Sequence, residues 1–231
     1  MSLMTRPETG SFDRVVRSLY RARGWLWLAF AVPAAVLAGL IMVVLPPQQE
    51  LANIGDWVFR LSPIVLAVIA VSVLPRNRFG PALFFLAIVF YMGVLDTGLV
   101  ERIQQFGKDI ATDENAFEPV YQFELLVVSF VTVFALLAYR MGGARTAVVL
   151  KTGIAAVLVV ISGLNDFTFW CVHTFSTGTK PTHFTWATHM IVFLGGPPTV
   201  LGAALFVAVH LALAVGVLCL PLSRWVDRAV A

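Results

Sequence analysis

Long apolar runs separated by short polar connections dominate this chain. Stretches at 24–45, 57–75, 79–100, 118–139 and 146–165 are almost wholly apolar, and a sixth covers 199–221. A helix needs about 20 such residues to cross the hydrocarbon core of a bilayer, so the pattern predicts six transmembrane helices. A further apolar segment, 184–197, is too short for a crossing and ends in Gly195-Gly196-Pro197-Pro198, which breaks or kinks a helix. It is expected either as a kinked outer part of the last span or as a re-entrant piece before it. The fold class that follows is all-α, a polytopic membrane helix bundle. One transmembrane domain at 24–221 is flanked by a basic N-terminal segment, 1–23, and a tail, 222–231. The N-terminus is polar for two dozen residues and no small-residue cleavage site follows the first span, so no signal peptide is expected. There is no internal repeat.

Composition narrows the class. Of 231 residues, 59% are hydrophobic and 13% charged, with a mean hydropathy of +0.86. Soluble domains carry roughly 25% charged residues. A soluble enzyme, a disordered chain and a nucleic-acid binder are excluded, and the lipid bilayer is the first partner. The net charge of +3 acts on topology. Twelve Lys and Arg fall at the N-terminus, in the loops after spans two and four, and at the C-terminus, against four (Arg60, Arg102, Lys108 and Lys180) on the other side. Basic loops stay in the cytoplasm, so both termini are expected inside a cell inner (plasma) membrane, which requires an even number of crossings. The acids run the other way. Ten, including Asp56, Asp96, Glu124 and Asp166, lie on the outer side, together with His173, His183 and His189. Such a face attracts cations. The two cysteines, Cys171 and Cys219, sit in different apolar segments and read as buried thiols.

Ionisable groups at membrane depth are costly and usually face a bundle interior. Asp96 lies near the outer end of span three and Glu124 about two turns into span four. Asn165 and Asp166 end span five, and His183 and His189 begin the next apolar segment. His173, seven residues after Asp166, shares its helix face if the helix continues outward. Carboxylate, amide and imidazole together are the donors of a transition-metal site, with copper or zinc both suited to imidazole. The same residues could equally form a hydrogen-bonded plug that fixes helix register. His210, alone in the middle of span six, reads as a packed side chain. No Gly-x-Ser-x-Gly elbow and no phosphate-binding Gly-rich loop occurs.

Gly163-Leu164-Asn165-Asp166 followed by Pro181-Thr182-His183, with Phe117-Glu118-Pro119 and Glu124 upstream, resembles the C subunit of the copper membrane monooxygenases, the methane and ammonia oxidisers. The likeness covers residues 80–221. It implies one copper held by Asn165, His183 and a second His. In that family the second His follows the Asn by one helical turn, where this chain has Phe169, so His173 would substitute. The family's other copper site needs His residues around spans three and four. Here Asp96 could supply its Asp, but Tyr121 stands where a His would fall and no His precedes His173, so that site is expected to be absent.

Three functions fit the sequence. The first is an outer-facing metal-binding membrane protein, in the manner of an oxidoreductase subunit, with Asn165, His173 and His183 as ligands and Asp166 or His189 as support. The second is an accessory or assembly subunit whose polar cluster is structural, packed against other membrane subunits or further copies of itself. The third is a small-cation or metabolite transporter with Asp96, Glu124 and Asp166 in an outer vestibule. Whether the chain is an enzyme is left open by its residues.

Overall fold

The computed structural model describes residues 14–15, 17–18, 21–46, 51–75, 80–111, 116–175, 178–222 and 224. Arg6, Arg76, Arg78 and Arg228, the acids Glu8, Asp13, Glu50, Asp113, Glu114 and Asp227, and most of segments 1–23 and 222–231 lie outside the described residues.

Every long element among the described residues is a helix. They are α1 (Arg23–Gly39), α2 (Ile54–Val73), α3 (Gly80–Phe90), α4 (Thr97–Asp109), α5 (Glu118–Met141), α6 (Thr146–Val160), α7 (Leu164–Val172), α8 (Thr188–Leu194) and α9 (Val200–Cys219). A π-helical turn, Leu40–Val44, extends α1, and a second, Tyr91–Asp96, joins α3 to α4. Five continuous helices are long and apolar enough to cross a membrane: Gly24–Val44, Ile54–Val73, Gly80–Asp109, Glu118–Met141 and Val200–Cys219. α6 and α7 make a sixth crossing if taken as one span, bent by 43° at their junction. The six-span reading therefore fits, with the bend in the fifth span. The third span is longer than expected, because the helix runs on from residue 100 to Asp109. The segment at 184–197 holds only the seven-residue α8, about 10 Å long at 1.5 Å per residue. It is too short to cross and precedes α9 as a separate piece.

Local chemistry sets the helix ends. Asn53 caps α2 by accepting from the Asp56 amide at 3.0 Å, and Thr199 caps α9 by accepting from the Gly202 amide at 3.1 Å. Each satisfies an amide that has no partner inside its own helix. Gly195 ends α8 at φ +77°, a left-handed conformation that costs glycine little.

Long polar side chains fasten elements to one another at each end of the bundle. At the end where α1 begins and α9 stops, buried Arg140 donates to Leu74 O at 2.9 Å and Ala144 O at 2.7 Å. Lys151 donates to Leu218 O at 2.6 Å, fastening α6 to the end of α9. At the opposite, distal end, Gln122 donates to Ile41 O at 2.8 Å, satisfying a carbonyl in the π-helical turn of α1. One core cluster (Ile64, Val68, Leu136, Val149 and Val157) joins α2, α5 and α6. A second (Phe184, Ala187, Met190, Ala203 and Val207) roots α8 and its approach against α9, with Phe167 and Trp170 of α7 packed on it. Outward faces of α3 and α9 carry exposed Phe85, Leu86, Ile88, Leu201, Leu205 and Val209. Apolar surface on that scale requires an apolar surrounding phase.

Candidate functional site: a buried Asp–His pair at the distal end

α7 begins directly after Gly163, whose φ of +71° turns the chain at the junction with α6. That turn sets Asp166 in the first turn of α7, where a carboxylate meets the favourable end of the helix dipole. Asp166 is 7% exposed. Its Oδ2 lies 3.8 Å from Nε2 of His189 on α8. Neither atom has a hydrogen-bond partner, although both are buried.

The separation is too long for a hydrogen bond, and the pair is not an ion pair either. α8 does not span the membrane, and burial, with a smaller push from the charge of His210, lowers the His189 imidazole to about 4. It is neutral near pH 7, so one ring nitrogen carries a free lone pair. The Trp186 indole N–H acts on the Asp166 carboxylate but is itself buried without a hydrogen bond of normal geometry. Three buried polar atoms on three residues are thus unsatisfied in one place. That is uncommon, since buried polar groups are nearly always paired.

The close approach depends on Gly163. A Cβ there would stand 2.0 Å from Met190 Cε and 2.8 Å from His189 Nε2. His189 also lines a cavity of about 130 Å³ with Asn165, Thr188, Tyr121 and Arg60, over a floor of Ile64, Leu125 and Ile161. Glu124, exposed one turn along α5 from Tyr121, is near enough for its charge to act on both Tyr121 and Asp166.

The other expected ligands lie apart from this pair. His173 ends α7 and is exposed, its ring stacked on Phe169 at 4.4 Å and set edge-on to Phe175 at 4.8 Å. His183 is exposed, 3.0 Å from the hydroxyl of Thr182, and its backbone bridges to Thr199. Asp96 is exposed at the end of the second π-helical turn. His210 sits within hydrogen-bond distance of Phe206 O and against the Phe206 ring, as a packed side chain would. Among the described residues no three His, Cys, Asp or Glu side chains converge on one metal position. The set Asn165, Asp166, His173, His183 and His189 therefore divides: Asp166 and His189 meet, Asn165 lines the adjoining cavity, and the two other imidazoles face outward. Both cysteines, expected to be buried, are free and exposed, because the faces of α7 and α9 that carry them point away from the bundle.

Sequence reasoning gave no place in the site to Gly163, Trp186 or Arg60. Gly163 was legible as the residue before Leu-Asn-Asp at the end of an apolar run, a position where a glycine punctuates a helix. Trp186 carried no signal, since it lies in the irregular chain before α8.

No family model, no curated protein and no solved structure matches this chain. Fold and site together define an all-helical protein with membrane-spanning helices and a buried, unsatisfied Asp–His pair at one end of the bundle.

Proposed function

We propose that this chain is a metal-binding subunit of a membrane oxidoreductase, and that Asp166 and His189 hold one transition-metal cation, copper or zinc. The observation that supports this reading is the pair of buried, unpartnered donor atoms 3.8 Å apart. Two donors at about 2.0–2.2 Å from a shared ion lie at nearly that separation. A structural plug would pair its members by hydrogen bonds, and these are unpaired. Asn165 and Tyr121 line the cavity beside His189 and offer an amide oxygen and a hydroxyl to the ion or to its bound water. A carboxylate, an imidazole and neutral oxygens suit a copper or zinc ion. The likeness to the copper monooxygenase C subunit points to the same chemistry, with this chain's His189 in place of the exposed His173 and His183.

The test is elemental analysis of detergent-purified protein loaded with copper or zinc and desalted. Wild type should retain close to one ion per chain. His189→Ala and Asp166→Ala should each lose most of it, while His173→Ala and His183→Ala retain it. Near-zero retention in wild type removes the metal reading and leaves an accessory subunit in front.

A further inference from the structure

A second cavity, apart from the Asp–His pair, has a volume of about 360 Å³. It lies between α1 and α2 on one side and α3 and α5 on the other. Its walls are almost wholly apolar. Six alanines, Ala31, Ala34, Ala35 and Ala38 of α1 with Ala67 and Ala70 of α2, leave the gap that larger side chains would close.

The dimensions identify the occupant. Trp27 to Ala38 on α1, Pro63 to Leu74 on α2 and Leu126 to Leu137 on α5 each measure about 16 Å along the helix, at 1.5 Å per residue. That is the depth of one leaflet, half of a hydrocarbon core about 30 Å thick. Trp27, Leu74 and Leu137 lie at the end where α1 begins and α9 stops, so the cavity occupies that leaflet and stops near mid-membrane at Ile64 and Ser129. About 360 Å³ spread over that length is a narrow, elongated space. A helix, about 10 Å across with its side chains, cannot enter; a single extended hydrocarbon chain can. All the lining residues except Leu74, which directly follows α2, belong to helices long and apolar enough to span a membrane, so the phase that adjoins the cavity is lipid.

We propose that this cavity is a binding site for one acyl chain of a phospholipid drawn from the leaflet on the side where α1 begins and α9 stops. Its glycerol end lies by Trp27 and Leu74, and its methyl end meets Ile64 and Ser129. The same two residues also line the cavity beside His189, so they form the partition between the lipid chain and the distal pocket. This site is independent of the metal reading.

The experiment uses the full chain in phosphatidylcholine vesicles that carry one of two photoreactive phospholipids, with a diazirine at the methyl end or near the ester. Cross-linked peptides are mapped by mass spectrometry. The methyl-end probe should mark Ile64, Leu126 or Ser129, and the ester-end probe Trp27 or Leu74. Ala67→Phe should lower both at least fivefold while labelling of the outward residues Val36 and Phe85 stays unchanged. If Ala67→Phe does not fold, Ala31→Leu serves the same purpose. Equal labelling of cavity and outward residues, a reversed depth order, or no effect of either variant would overturn the proposal. So would labelling of the cavity by a photoreactive free alkane but not by the phospholipid probes.

Discussion

Gly163 does two separable things at the residue scale. It supplies a left-handed backbone at φ +71°, and it leaves space for Met190 and His189. Gly195 offers the comparison, since it has φ +77° but nothing within 4 Å of the point a Cβ would occupy. A non-glycine residue in that conformation costs about 1 kcal/mol. Overpacking a filled site adds roughly 1–3 kcal/mol. Gly195→Ala should therefore destabilise by about 1 kcal/mol and Gly163→Ala by about 2–4 kcal/mol, read as thermal unfolding in detergent. Equal losses would show that α8 approaches the α6–α7 junction less closely than these distances require. The candidate site itself was partly legible at this scale. Asp166 and His189 stood in the expected donor set because their types and depths were visible. Their pairing was not, because His173, His183 and His189 have the same chemistry. Which imidazole turns inward is decided by irregular chain between α7 and α8, where no periodicity marks an inward face.

Packing between elements uses small residues at several close approaches, among them Gly80 against Met141 and Gly153 against Val68. In lipid no hydrophobic effect drives helices together, so backbone proximity and van der Waals contact must do so. Gly153 of α6 faces Val68 of α2, and a Cβ there would lie 2.3 Å from Val68 Cγ1. Gly153→Ala should cost roughly 1–3 kcal/mol, and Val68→Ala in the same chain should recover much of that loss. A double variant as unstable as the sum of the two singles would mean that the residues do not meet. Hydrogen bonds between elements follow the same logic of obligation. Gln122→Leu would leave Ile41 O buried without its donor, a loss of about 1–3 kcal/mol with unfolding as the readout. The long apolar runs made most of the helices legible, since length and composition alone identify a span. The π-helical turns at Leu40–Val44 and Tyr91–Asp96 left no trace, because they share the apolar composition of the helices around them. The extension to Asp109 was missed for the opposite reason. Glu101, Arg102, Gln104, Gln105 and Lys108 end the apolar run but are good helix formers, so the helix outlasts the hydrophobic signal.

The whole molecule is a bundle whose two ends are chemically unlike. One end is fastened by Arg140 and Lys151 to helix-end carbonyls. The other carries Asp56, Glu124 and Asp166, with His189 lining the distal cavity. The excess of basic residues on the termini side predicts that this end faces the cytoplasm. Native Cys171, free and exposed on α7, probes the distal end. Arg224→Cys, in a Cys219→Ser background, probes the other. Between them runs α9, 20 residues and about 30 Å long, the thickness of a hydrocarbon core. A membrane-impermeant maleimide should label Cys171 in sealed right-side-out vesicles and leave position 224 untouched; inverted vesicles should reverse the pattern. Labelling of both positions from one side would mean that α9 does not cross, so the number of crossings would be odd. Opposite-side labelling with position 224 outside would keep the six-span bundle but turn the Asp166–His189 pair toward the cytoplasm, where soluble thiols compete for a soft cation such as copper.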